Sequence, residues 1–99
     1  FWIFRTPKGA VRGRHAHRRS QQAHVCLHGS VKIQLDNGKE KQGVVLNRPN
    51  RVLILGPMIW HSFCLEEGSL LFVFTSNWYS EKDYVRDYEE FLSLVRTPK

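Results

Sequence analysis

Two histidines, His15 and His17, stand one residue apart in the stretch GAVRGRHAHRRSQQ, with Arg12, Arg14, Arg18 and Arg19 around them. Imidazole titrates nearest to neutral pH, so such a pair can bind a metal ion, exchange protons with a substrate, or add to a cationic patch. Side chains alternate along an extended strand, which puts residues 15 and 17 on one side, two groups facing one substrate. Gln22, His24 and Cys26 follow at even spacing and share a face in the same way. Nucleic-acid binding through the arginines would fall steeply with salt, but the chain carries no helix-turn-helix, zinc knuckle or RNP-like motif.

These residues need a frame, and the frame that the sequence offers is a set of short strands. Ninety-nine residues make one domain, spanning 1–99, and 41% hydrophobic with 24% charged residues is the composition of a folded chain. Val31, Ile33 and Leu35 alternate with Lys32 and Gln34, the pattern of a half-buried strand. Asp36-Asn37-Gly38 then marks a hairpin. Strands are also expected over 1–5, 23–29, 44–46, 52–55, 59–65 and 70–75, with Thr6-Pro7-Lys8-Gly9 ending the first. Their close spacing argues for an antiparallel sandwich or barrel rather than βαβ units. At the C-terminus Tyr84, Tyr88, Phe91, Leu92 and Val95 recur at helical offsets, and Ser80 is the expected cap.

A net charge of +6 favours an anionic partner. Cys26 and Cys64 form no CxxC and read as reduced thiols of a cytoplasmic protein. The longest purely apolar run, residues 70–74, is far too short to cross a bilayer. The start has no basic leader or cleavage site, and no initiating Met, so some N-terminal sequence is expected to be missing.

The register Gly9, His15, His17, Gln22, Gly29 is similar to the first motif of the cupin superfamily. In metal-binding cupins a Glu stands where this chain has Gln22, and a later His, here His61 in GPMIWH, completes the ligand set. A neutral amide is a weaker ligand than a carboxylate, so Gln22 weighs against iron or manganese, although three His can hold zinc. The fold expected from the resemblance is all-β, a small cupin-type antiparallel β-barrel (jelly roll) with one C-terminal helix.

RGRHAH, CLHGSVKIQLDNG, Trp60-His61 and above all EKDYVRDYEEFL resemble the sugar nucleotide 3,4-ketoisomerases, the metal-independent WxcM-like cupins. The resemblance runs nearly from end to end and implies a shift of the carbonyl of a nucleotide-linked (dTDP) 4-keto-6-deoxyhexose from C4 to C3, without metal or other cofactor. It implies His15 as the base at carbon and His17 as the shuttle between oxygens. Arg12 would hold pyrophosphate or an enolate oxygen, and Gln22 would orient the sugar or a His. Trp60 and His61 would line the barrel, and Arg86 with Tyr84 would seat the substrate or the dimer. The family forms homodimers that exchange an N-terminal strand, and this chain is expected to lack that segment.

Three departures stand out. The family's Tyr before the His pair is replaced by Phe1-Trp2-Ile3-Phe4, the Glu after Trp-His by Ser62, and a Gly-Leu-Tyr by Val52-Leu53-Ile54. His24 takes a place that is normally apolar; it is expected to be tolerated there, the alternative being that it alters the pocket as a substrate-binding residue. A cupin that binds a nucleotide sugar without turning it over, or that has changed its substrate, is the alternative reading.

Overall fold

The computed structural model describes residues 2–4 and 11–96. The turn expected at Thr6-Pro7-Lys8-Gly9, and with it the first glycine of the motif, lies outside the described residues. Among the described residues there are nine strands: β1 Trp2–Phe4, β2 Val11–His17, β3 Gln22–His28, β4 Val31–Asp36, β5 Lys41–Leu46, β6 Val52–Leu55, β7 Trp60–Leu65, β8 Leu70–Thr75 and β9 Tyr84–Val85. One helix, α1 Tyr88–Val95, closes the described chain.

The strands make two antiparallel sheets, ordered β1-β8-β3-β6 and β5-β4-β7-β2-β9. Alternation decides what lies between them. Val31 and Ile33 of β4 point inward while Lys32 and Gln34 face water. From the opposite sheet Cys26, Leu71 and Val73 meet them, and Leu46, Phe63 and Leu65 complete the core. The result is a β-sandwich of the jelly-roll kind. Both cysteines are free thiols. No described helix is long and apolar enough to cross a membrane.

Two glycines fix the geometry near the site. Gly38 adopts φ +92°, and a Cβ there would lie 2.3 Å from Val95 Cγ2, so the hairpin accepts the end of α1 only with glycine. Gly13 adopts φ +90° with the His61 carbonyl 3.1 Å from where a Cβ would sit. Next to it Arg14 also has positive φ, 58°, and the β2–β7 register slips between Gly13 and His15. This bulge brings His15 opposite His61.

The C-terminal helix starts later than its periodicity suggests. Ser80 precedes only a 3-10 turn, Glu81–Asp83, and makes no capping bond with its side chain. Tyr84 and Val85 are strand, paired with His17 and Ala16 on the open edge of β2. Asp87 is the true cap, accepting from the Glu89 N–H at 3.0 Å. The helical offset of Tyr84 from Tyr88 is therefore coincidental: pairing with the open edge of β2 holds the segment as strand. From Tyr88 onward the pattern holds, with Phe91 buried against Ala16 and Val85, and Trp60, Leu92 and Val95 packed around it.

Candidate active site

One end of the sandwich holds a cluster of rings. His15 is central: its ring centroid lies 5.0 Å from His17, 4.7 Å from His61 and 5.0 Å from Tyr84. Tyr84 also stands 4.5 Å from His17, and His24 lies 5.8 Å from His61. His15, Gln22, His24, His61, Phe63, Val73, Tyr84 and Arg86 line a cavity of about 180 Å³. That is below the roughly 300–1,000 Å³ of drug-sized sites, and it fits one small ring rather than a whole nucleotide.

Hydrogen bonds assign the tautomers. His15 Nδ1 lies 3.1 Å from the Gly13 carbonyl, and His61 Nδ1 lies 3.2 Å from the Ile59 carbonyl. A carbonyl only accepts, so both rings carry their proton on Nδ1 and keep a lone pair on Nε2. His17 donates from Nδ1 to Asp83 Oδ2 at 2.9 Å. Its Nε2, 3.0 Å from Gln22 Nε2, then accepts from the amide. Both nitrogens of His17 are engaged, and the residue is only 4% exposed.

Burial keeps three of the imidazoles, His15, His24 and His61, uncharged at neutral pH. It lowers His15 to about 4, with the neighbouring charges of His17 and Arg86 adding to the shift and the Gly13 carbonyl opposing it. His24 falls to about 4 and His61 to about 3, again chiefly through burial. Asp83 moves the other way from a simple buried acid. Burial raises it, but bonds from Ser20 Oγ (2.7 Å), His17 and the Arg19 N–H (2.7 Å) outweigh that and hold it below the usual value. At the rim, Glu81 holds Arg86 through contacts of 2.6 and 3.1 Å, and the guanidinium sits 4.3 Å over the Tyr84 ring.

Not every residue singled out in the sequence comes to this cavity. Arg12 is exposed on β2 and is not part of the lining. Trp60 is not part of it either: its ring packs on Tyr88 at 5.2 Å and Phe91 at 5.7 Å, anchoring α1. The arginines of the motif also part company. Arg18 pairs with Glu90 at 2.7 Å, and with Arg19, Trp78 and Lys82 it borders a separate surface concavity. Asp83 was missed because it reads as a first-turn acid of the expected helix, and Phe63 because it reads as core. The better signal was Asp87 ahead of Tyr88-Glu89-Glu90, a stronger helix start that leaves residues 83–85 free to pair.

His15, His17 and His61 also form a set able to hold a divalent ion, since their ligand atoms all lie within 4.8 Å of one another. Each has its Nδ1 tied to an oxygen, the usual arrangement behind a metal-binding Nε2, although Gln22 already occupies that of His17.

Residues 1–96 match the FdtA family, described as WxcM-like, C-terminal. The chain belongs to this family. The TDP-4-oxo-6-deoxy-alpha-D-glucose-3,4-oxoisomerase of Aneurinibacillus thermoaerophilus is 37% identical over 96 residues, covering 96% of this chain and 69% of that one. The 3,4-ketoisomerase QdtA of Thermoanaerobacterium thermosaccharolyticum, solved with TDP, superposes with a TM-score of 0.92 at 34% identity, over 96% of this chain and 71% of that one. A His-to-Asn variant of QdtA, solved with TDP-4-keto-6-deoxyglucose, gives 0.93 at 32% identity, over 99% and 74%. The FdtA member described here is accordingly a 3,4-ketoisomerase with the cupin-like fold of QdtA.

Proposed function

We propose that the chain moves the carbonyl of a dTDP-linked 4-keto-6-deoxyhexose from C4 to C3 by metal-independent proton transfer through an enediol. The observation that carries this reading is His15, a neutral imidazole with a free Nε2 lone pair at the wall of a sugar-sized cavity. The hydrogen on C3 is acidic because it adjoins the ketone. His15 Nε2 takes it, and a proton is returned at C4. A proton must also pass from the C3 oxygen to the C4 oxygen. His17 serves there, with Asp83 holding its ring and the substrate hydroxyl replacing the Gln22 amide on Nε2. Arg86 at the rim gives charge to the enediolate or to the diphosphate. The hosts of the comparison ligands support the substrate, since relatives were solved with TDP and with TDP-4-keto-6-deoxyglucose.

A homodimer accompanies this reading. The outer face of the four-stranded sheet is apolar, with Val52 54%, Ile54 61% and Phe74 51% exposed, and Ala23 lies between Ile54 and Phe74 in register. An unbroken patch of this kind on a sheet face suits a second copy of the same chain.

The test is proton NMR with dTDP-4-keto-6-deoxyglucose in D₂O. Deuterium in the hexose together with a 3-keto product is expected, unchanged by chelator, and His15→Asn should lower the rate by roughly 10²–10⁴-fold with the fold intact. Saturable binding without exchange would overturn the reading in favour of a non-catalytic binder. Loss of activity with chelator, restored by zinc, would overturn the metal-free mechanism.

A further inference from the structure

Arg86 follows the short strand β9, and its side chain, 51% exposed, forms part of the cavity lining. An unrestrained arginine at such a place samples many rotamers, and ordering it takes up binding energy. Here it is already ordered. Glu81, in the 3-10 turn before β9, accepts from Nε at 2.6 Å and from Nη2 at 3.1 Å, one carboxylate oxygen for each. The Tyr79 hydroxyl donates to Glu81 Oε2 and adds a third bond to the carboxylate. Against the guanidinium, the centre of the Tyr84 ring lies 4.3 Å from its central carbon, and the Tyr79 ring centroid stands 5.5 Å from that of Tyr84.

The donors of the guanidinium can be counted. Its five N–H groups lie in one plane, and Glu81 takes two of them. The rest, one on Nη2 and two on Nη1, form a second edge able to fork onto another oxyanion. Among the described residues no second carboxylate pairs with Arg86. Exposed ion pairs contribute little to stability, so the fold alone gives small reason for these bonds to converge on one carboxylate. The pair also reaches the proposed base: the charge of Arg86 lowers the pKa of His15, and that of Glu81 raises it.

We propose that Glu81 is a positioning residue that holds Arg86 with its remaining N–H edge toward the diphosphate of the substrate. This rests on the nucleotide-linked substrate proposed above, and it chooses between the two anions offered to Arg86 there. The cavity holds about one sugar ring. The diphosphate joins that ring at C1 and stays at the mouth, where Arg86 is half exposed, whereas the enediolate forms at C3 and C4 beside the imidazoles. Glu81 itself places a negative charge near that anion, and the repulsion opposes binding. Between exposed charges at physiological salt, such repulsion is largely screened. Sparing the substrate the ordering of a long side chain is worth more, roughly threefold to tenfold in affinity. Loss of Glu81 therefore weakens diphosphate binding even though it removes a like charge.

The experiment is calorimetry with dTDP at about 0.15 M salt on the native protein, Glu81→Gln, Arg86→Lys and the double variant. Both side chains are exposed, so these changes leave the core untouched. Glu81→Gln keeps the size of the side chain but loses the charged fork, and dTDP should bind roughly threefold to tenfold more weakly. Lysine presents no planar fork to be held. In the Arg86→Lys background, Glu81→Gln should therefore leave the affinity unchanged or raise it. With dTDP-4-keto-6-deoxyglucose, Glu81→Gln should raise KM by the same factor and leave kcat within about twofold. Equal or tighter binding of dTDP by Glu81→Gln overturns the inference, because Glu81 is then only a counter-charge. Equal weakening in both backgrounds sinks it as well, since the effect would not run through Arg86. A fall in kcat at constant KM would assign Glu81 to the chemical step and count equally against it. Absence of isomerisation by the native protein, with dTDP binding weakened only where Arg86 is present, would instead remove the isomerase reading and leave Glu81's role standing.

Discussion

His15 combines a free nitrogen with a place in the cavity wall and a neighbour that fixes its tautomer; His61 shares these features but is buried, whereas His15 is partly exposed. As the proposed base, His15 works only when unprotonated. Since burial holds its pKa down to about 4, the free enzyme keeps His15 neutral at all ordinary pH values. The sign follows directly. kcat/KM should be level from neutrality down to about pH 5, then fall about tenfold per pH unit below His15's own value. Steady-state rates measured across pH 3.5–8, with stability checked at each point, test this. A fall beginning near pH 6.5 would mean that burial does not govern the group.

Elements place these residues more tightly than sequence spacing does. β9 is only two residues long, yet its pairing with β2 delivers Tyr84 to the rings and Asp83 to His17. Asp83 also receives Ser20 and the Arg19 N–H, so one carboxylate both fastens the end of β2 and orients an imidazole. Asp83→Asn retains the shape but loses the demand for a proton on His17 Nδ1. On the order of a hundredfold loss in kcat is expected, with a smaller change in KM, as for other His-orienting carboxylates. Kinetics beside circular dichroism separate that result from simple unfolding. The β2 bulge belongs to the same scale, because it sets His15 against His61 through a conformation that glycine adopts freely.

For the whole molecule, a buried neutral cluster links stability to pH. His15 and His24 at about 4, and His61 at about 3, titrate in the folded state well below the ordinary 6.5. Between those values the unfolded chain binds more protons, so stability is full above about pH 6.5 and is lost as pH falls toward 4. His24 alone contributes roughly 3 kcal/mol of that loss. Urea midpoints should therefore drop steadily between pH 7 and 4, and a flat profile would contradict the burial of the cluster. At the same scale, the exposed apolar face predicts that Ile54→Lys, directly beside Ala23 in the register, produces monomers. Sedimentation of native and variant protein checks it.

How much of this was legible beforehand can be read from particular residues. The alternation of Val31, Ile33 and Leu35, the Asp36-Asn37-Gly38 turn and the His15-His17 spacing are local patterns, and local sterics and polarity suffice to read them as strand, hairpin and same-side pair. The absence of a carboxylate at Gln22 is likewise a matter of residue type. What the tertiary structure decided was partnership. Tyr84 lies at a helical offset from Tyr88, and only the unpaired edge of β2 makes it a strand residue. Trp60 stands beside His61 in the chain, yet the strand turns them to opposite sides, one to α1 and the other to the cavity. Asp83, 66 residues from His17, becomes its partner through the closure of the sheet. Sequence determines which groups exist and what each strand shows to either side; their meeting depends on long-range pairing, whose geometry no local pattern contains.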